Sequence, residues 1–345
     1  MFQKRPSIAR LKSIIATALL LTLPGALAAT AASAETSKVT IGSGFGIHYL
    51  PFYVMEKEQL LEKQAAAAGL SLNVIYVRFS GGASLNDAIL SRAVDIVGAG
   101  VGPFSILWDK TRENLKFRAL SAMGDIPLVV LTNDPRIQSL SDIREGDRIA
   151  LPAVKASMQA TLLQFAAAKL YGDANFNKFD PFTVTLPHSE ALTALISRSG
   201  IVNMHFSVAP YSTRELKDKN VRQIADTNSI IGGPMSLNLT FMTQKFHDEN
   251  PVICRAFLAA LSEAMELIKR DPARAAEIYL SSDKAAGADQ ATVETVLKDL
   301  KSAFTVAPHG VGVFTSFLHR AGIVKHDPSK WNDLFFEEAN ALQGN

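Results

Sequence analysis

Small and polar residues follow several short apolar segments of this chain. Glycine lets the backbone approach a ligand closely, while serine hydroxyls and helix-end N–H groups donate hydrogen bonds to sulfonate or carboxylate oxygens. Aromatic side chains can cover the apolar body of such a ligand. These loops therefore predict a site for a small oxygen-bearing molecule. The predicted ligand-binding residues are Phe45, Gly46, His48, Tyr49, Ser80, Gly81, Gly82, Gly100, Val101, Gly102, Asp125, Ser157, Met158, His188 and Ser207.

Each of these positions also has a purely structural interpretation. Glycines are often required by turns, and Ser157 is placed to cap a helix. His48 and His188 either contact the ligand or are ordinary surface residues, and both interpretations stay open. His205 lies inside an apolar segment and is expected to be a packed core residue, whereas Tyr211 fits the core and the site equally well.

Motifs of catalysis and of metal or cofactor binding do not occur in this sequence. It has no G-x-S-x-G elbow and no H-E-x-x-H, and no two of its seven histidines have metal-ligand spacing on one predicted helix. A dinucleotide fingerprint fails after Gly42–Gly44, because Ile47 stands where the third glycine belongs. The single cysteine, Cys254, has apolar neighbours and is expected to be a buried helical thiol. We therefore predict no catalytic residue, no metal and no cofactor.

Two strand–glycine turn–helix corners are expected to position the loops. Val39–Ile41 precedes a glycine-rich turn and a helix with Pro51 in its first turn. Val94–Val97 precedes a second glycine-rich turn and an apolar helix from Phe104. A helix start after such a turn leaves backbone N–H groups for a small anion.

The order of elements predicts an α/β protein with two mostly parallel sheets, flanking helices and a ligand cleft between two lobes. Strand and helix patterns alternate up to residue 225, and the segment from 250 onwards reads as helical. We expect residues 35–126 and 235–345 to form the first lobe and residues 127–234 the second. The chain would cross between lobes near 124–127 and 232–235. Strand ends facing the cleft would carry the ligand site.

The first 34 residues have the composition of a cleavable signal peptide. A basic start precedes the apolar run Ile14–Ala28 and the small residues Ala32–Ala34. Met1–Ala34 holds four of the 35 basic residues and no acidic one, so its removal leaves 31 basic against 33 acidic residues. The mature chain thus lacks the positive charge that favours nucleic acid, and no nucleic-acid partner is expected.

Four segments in register resemble the solute-binding proteins of ABC importers of the nitrate, sulfonate, taurine and thiamine-precursor type. The resemblance extends from about Lys38 to Leu280. The segments are Gly46–Lys57 (GIHYLPFYVMEK), Phe79–Ile89 (FSGGASLNDAI), Val94–Gly100 (VDIVGAG) and Leu140–Ala150 (LSDIREGDRIA).

This resemblance implies a type-II periplasmic-binding-protein fold that closes on its ligand and presents it to a membrane permease. The protein would be a periplasmic monomer and not an enzyme. Many relatives have Trp-Asp-Pro where this chain has Val208-Ala209-Pro210, and the missing Asp argues against an amine-bearing ligand. Two alternatives remain: an enzyme of the same fold, of the pyrimidine-precursor synthase type, or a ligand-sensing subunit of a membrane receptor. The former relies on a cysteine-rich iron site, which a single cysteine does not favour.

Overall fold

Of the 345 residues, the computed structural model describes 1–2, 35–79, 82–155, 157–282 and 287–345. Residues 35–345 form one compact unit. The predicted signal peptide lies almost entirely outside the described residues, as do Ser80 and Gly81, so these predictions are not tested. Within the described ranges, no helix is both long and apolar enough to span a bilayer.

The strands are short and form two five-stranded sheets. The first sheet has the order β2-β1-β3-β10-β4, and the second has the order β7-β6-β8-β5-β9. The strands are β1 (Lys38–Ser43), β2 (Asn73–Arg78), β3 (Ile96–Gly100), β4 (Phe117–Ala122), β5 (Val129–Thr132), β6 (Ile149–Leu151), β7 (Thr183–Thr185), β8 (Met204–Ser207), β9 (Arg222–Asp226) and β10 (Asn238–Thr243).

The α/β class is confirmed, and both sheets are mixed. In the first sheet β10 runs antiparallel to β3 and β4, and in the second β5 runs antiparallel to β8 and β9. The remaining neighbours are parallel. The cause is the route of the chain. Strands β5 and β10 each follow a crossing between the sheets, so each enters its sheet at the edge where the parallel strands end.

Thirteen α-helices occur among the described residues. Their bounds are α1 (Leu50–Glu58), α2 (Leu60–Ala67), α3 (Gly82–Leu90), α4 (Val101–Lys110), α5 (Met158–Tyr171), α6 (His188–Ser197), α7 (Tyr211–Glu215), α8 (Thr227–Ile231), α9 (Gln244–Glu249), α10 (Pro251–Arg270), α11 (Pro272–Ser282), α12 (Gln290–Asp299) and α13 (Val311–Arg320).

Helix α10 packs against α1 and α2, which follow the first strand. Its apolar side chains recur every three or four residues, so one face is buried. Phe257 meets Phe52 of α1 edge to face, with ring centroids 5.9 Å apart. Cys254 is buried on the same helix, and burial raises the pKa of its thiol to about 12. The predicted buried thiol is therefore confirmed.

The predicted lobe boundaries fall in the two segments that link the sheets. Every strand of the first sheet lies within 35–126 or 235–345, and every strand of the second lies within 127–234. The crossings are held side by side, because the Met123 N–H donates to the Asn238 carbonyl at 2.9 Å. The division into two lobes that move separately stays a prediction.

Candidate functional site

The N-terminus of α4, which follows a strand of the first sheet, meets the N-terminus of α5, which follows a strand of the second. A β-carbon built on Gly100 would lie 3.4 Å from Met158 Cβ, which is ordinary van der Waals contact. Gly100 ends β3 of the first sheet, and Met158 begins the helix that follows β6 of the second. The two predicted site loops are therefore adjacent in space.

The start of α6 also lies beside the start of α5, through a contact of His188. Its Nε2 lies 3.4 Å from the side-chain nitrogen of Gln159, in the first turn of α5. The pKa of His188 is lowered well below its usual value, mainly by burial and further by the neighbouring His205 and His48. His48 therefore belongs to the same group. We call the set His48, Tyr49, Gly100, Met158 and His188 the cleft cluster.

In the first-sheet part of the cleft cluster, the Tyr49 ring is buried close to Asn238. Burial raises the pKa of Tyr49 to about 12, and the nearby Asn238 side chain and Gly44 backbone partly oppose this shift. The ring lies 2.9 Å from where a β-carbon on Gly44 would stand. Gly46 has φ +114°, and a β-carbon there would lie 2.9 Å from the His48 ring. Both positions thus require glycine for local reasons.

Two buried polar atoms beside Tyr49 have no hydrogen-bond partner among the described residues. They are His48 Nδ1 and Asn238 Nδ2. Burial lowers the pKa of His48 to about 4, so its imidazole is neutral near pH 7. A buried polar group left unpaired costs about 1–3 kcal/mol. A ligand that bonds to these atoms would recover part of that free energy.

The second-sheet part of the cleft cluster contains a chain of hydrogen bonds. His188 Nδ1 lies 2.8 Å from His205 Nε2, and His205 Nδ1 lies 2.6 Å from Glu215 Oε1. Ser207 donates its hydroxyl to Glu215 Oε2 at 2.6 Å. The side chains of His205, Ser207 and Glu215 are fully buried. The His188 ring stacks on Tyr211 with centroids 5.4 Å apart. We call His188, His205 and Glu215 the imidazole relay.

The other predicted site residues have local structural positions of their own. Val101 and Gly102 begin α4, and Gly82 begins α3. Ser157 caps α5, because its hydroxyl accepts the Ala160 N–H at 3.2 Å. Phe45 is 48% exposed on the loop before His48. Whether any of them touches a ligand stays a prediction.

Asp125 lies in the first crossing, and both of its carboxylate oxygens are engaged. One accepts the Ser236 hydroxyl at 2.8 Å, and the other lies 2.5 Å from His309 Nδ1. Burial raises the pKa of Asp125, and these two bonds oppose the shift. The residue thus joins both crossings to the loop before α13.

The charge of Arg78 is compensated by a neighbouring carboxylate. Arg78, at the end of β2, forms an ion pair with Glu56 and lies 4.6 Å over the Tyr53 ring.

Sequence reasoning missed three residues of the site: Gln159, Glu215 and Asn238. His205 is buried as predicted, but both of its ring nitrogens are hydrogen-bonded rather than merely packed. Only the folding of α7 back onto β8 brings Glu215 to His205 and Ser207. The spacing of ten and eight residues is not a motif that a sequence pattern could have shown. Helix α6 begins at His188, because the Pro187 carbonyl accepts the Glu190 and Ala191 N–H groups.

Two mixed α/β sheets joined by two crossings, with helix N-termini meeting between them, define the fold of periplasmic binding proteins. No protein-family model and no curated protein sequence matches the chain. Among solved structures, the predicted fold is confirmed by similarity to three binding proteins. The aliphatic sulphonate binding protein SsuA of Escherichia coli has a TM-score of 0.66 and 17% identity, covering 88% of this chain and 93% of that one.

The alkanesulfonate-binding protein SsuA of Xanthomonas axonopodis pv. citri, bound to MOPS, has a TM-score of 0.60 and 19% identity. That match covers 76% of this chain and 84% of the other. The nitrate-binding protein NrtA of Synechocystis PCC 6803 has a TM-score of 0.64 and 13% identity, covering 90% of each chain. At these identities the similarity establishes the fold alone.

Proposed function

We propose that this chain is the periplasmic substrate-binding component of an ABC importer and that it captures a small organic anion between its two sheets. The anion is of the sulfonate or carboxylate type, on an aliphatic or aromatic body. One observation carries the proposal: the starts of α4, α5 and α6, from both sheets, meet around His48, Tyr49 and His188.

The chemistry of these helix starts suits an anion. The first N–H groups of a helix lack partners inside it, and the helix dipole favours negative charge there. Neither Gly100 before α4 nor Pro187 before α6 supplies a side-chain cap. Asn238 Nδ2 is a further buried donor. The sulfonate- and nitrate-binding proteins that share the fold support this class of ligand.

The walls of the cleft cluster suit an apolar ligand body. Tyr49, Val101, Met158 and Tyr211 are all buried. Aromatic and methionine side chains give large apolar contact with little directional demand. The site therefore combines polar helix ends with an apolar enclosure.

Contact between helix starts of different sheets supports binding by closure. If the two halves separate, Met158 leaves Gly100 and the cleft cluster opens. Ligand binding energy then shifts an open–closed equilibrium. The alternative enzyme would need cysteines for iron, whereas Cys254 is buried within α10. The sensing alternative uses the same closure, so capture by the cognate permease distinguishes import from sensing.

A thermal-shift and calorimetry screen of residues 35–345 tests the proposal. The panel contains alkane- and arylsulfonates, carboxylates, nitrate and pyrimidines. A ligand at 100 times its dissociation constant should stabilise the protein by about 2.7 kcal/mol. NMR of the recovered ligand should show it unchanged. No stabilisation by any acid would refute the binding function, and turnover would favour an enzyme.

A matched pair of histidine variants locates the site. His48→Ala should weaken binding about tenfold or more, because a half-buried side chain of the cleft cluster is lost. His326→Ala is the control, since His326 is 52% exposed and pairs with Asp109 on the surface. Equal affinity in both variants would place the ligand elsewhere.

A further inference from the structure

With Glu215 as a carboxylate and His205 neutral, the imidazole relay has one hydrogen-bond direction. A carboxylate accepts hydrogen bonds only, so the Glu215 oxygens receive the Ser207 O–H and the His205 Nδ1–H. Neutral His205 then offers a lone pair at Nε2, which must be met by a hydrogen on His188 Nδ1, 2.8 Å away. Neutral His188 is left with a lone pair at Nε2.

His188 Nε2 lies beside the first turn of α5, the helix that begins at Met158 of the cleft cluster. The only bond recorded for His188 Nε2 within the described part of the chain is to Gln159 Nε2 at 3.4 Å. This distance is beyond the usual 2.7–3.2 Å range of N–H donors, so a closer donor would displace it readily. Among the described residues, His205, His48 and Tyr211 are further neighbours of His188. A ligand in the cluster thus meets an acceptor on the second-sheet side.

The first-sheet side offers complementary chemistry. Asn238 Nδ2 is a buried donor with no partner among the described residues, and Asn238 lies beside Gly100 in the first sheet. A ligand that satisfies both sides needs acceptor oxygens at one end and a hydrogen-bond donor at the other.

We propose that His188 is a specificity-determining residue and that the ligand is a hydroxy-substituted organic acid whose O–H group donates to His188 Nε2. The acid group meets the helix starts and Asn238. This inference rests on the proposed function and names its substrate class. A neutral imidazole nitrogen suits an uncharged hydroxyl donor.

The test compares acids that differ by one hydroxyl in place of a methyl group. The pairs are 2-hydroxyethanesulfonate with propane-1-sulfonate, hydroxyacetate with propanoate, and 4-hydroxybenzoate with 4-methylbenzoate. Calorimetry on residues 35–345 should show the hydroxy acid binding at least about tenfold tighter in every pair that binds. The methyl analogue leaves the buried acceptor unpaired.

Two variants assign this preference to the relay. His188→Phe keeps an aromatic ring against Tyr211 but removes the acceptor nitrogen. The hydroxy acid and its methyl analogue should then bind with about equal affinity. His48→Phe is the matched control and should lower affinity for both acids while keeping their ratio. Equal binding within the pairs by the wild type, or an unchanged ratio in His188→Phe, would overturn this inference alone. Failure of every acid to bind would overturn the proposed function as well.

Discussion

A β-carbon on Gly102 would lie 2.8 Å from the hydroxyl oxygen of Thr161. Gly102 is the second residue of α4 and Thr161 is the fourth residue of α5. Their contact therefore joins a helix of the first sheet to a helix of the second. The hydroxyl is anchored, because it donates to the Met158 carbonyl at 3.0 Å. The closeness of the two helix starts therefore depends on the absence of a side chain at 102.

Gly102→Ala should hinder closure without unfolding the protein. The added methyl group meets Thr161, so ligand affinity should fall by about 5- to 20-fold while the thermal midpoint changes little. The second change Thr161→Ala removes the oxygen and should restore most of the affinity. Calorimetry on the four proteins of this double-mutant cycle measures the coupling, expected at about 1–2 kcal/mol. Additive effects of the two changes would contradict a direct contact.

Glu215 should contribute strongly to stability. Glu215→Ala leaves His205 Nδ1 and the Ser207 hydroxyl buried without their acceptor, which should lower the free energy of unfolding by about 2–4 kcal/mol. Ser207→Ala removes one hydrogen bond to the same carboxylate and should cost about 1–2 kcal/mol. Urea unfolding measures both. A smaller loss for Glu215→Ala than for Ser207→Ala would be incompatible with the relay.

His48 should make the free energy of unfolding depend on pH. Its pKa is lowered from 6.5 to about 4 by burial, so the fold favours the neutral ring. The contribution is present above pH 6.5 and is lost as pH falls towards 4. With allowance for the partial exposure of the residue, His48→Gln should reduce the fall in unfolding free energy between pH 7 and 4.5 by about 1–2 kcal/mol. An identical pH profile for wild type and variant would show that the ring is not buried in its neutral form.

Asp125 should act on the crossings rather than on the ligand. Asp125→Ala removes the bonds to Ser236 and His309, so we expect a loss of about 1–3 kcal/mol and faster amide exchange at residues 123–126 and 235–238. Ligand selectivity should not change. Asp173→Ala, which breaks an exposed ion pair with Arg320, is the control and should change stability by less than about 0.5 kcal/mol. A large loss of affinity at unchanged stability would instead make Asp125 a ligand contact.

Local signals in the sequence predicted much of the framework. Pro51 lies in the first turn of α1, Ser157 caps α5, and Cys254 is buried on α10 as expected. These features depend on a few neighbouring residues, so a pattern can show them. The antiparallel direction of β5 and β10 could not be predicted in this way, because it depends on where the chain enters each sheet after a crossing.

The polar interior of the site also depends on contacts between distant elements, so it could not be predicted from local patterns. The sequence around His205 is typical of an apolar strand. Its hydrogen-bond partners come from α6 and α7, which precede and follow that strand. Burial of Glu215 contradicts the usual exposure of glutamate and is compensated only by tertiary hydrogen bonds. His188, for which the sequence leaves ligand contact and an ordinary surface position both open, is hydrogen-bonded to His205.

Small-angle X-ray scattering of residues 35–345, with and without the tightest-binding acid from the screen, tests closure most directly. We predict a smaller radius of gyration on binding, with the change reduced in Gly102→Ala. The acid should be recovered unaltered from the same sample. A radius that does not change at saturating ligand, or conversion of the acid to a product, would contradict capture between the two sheets.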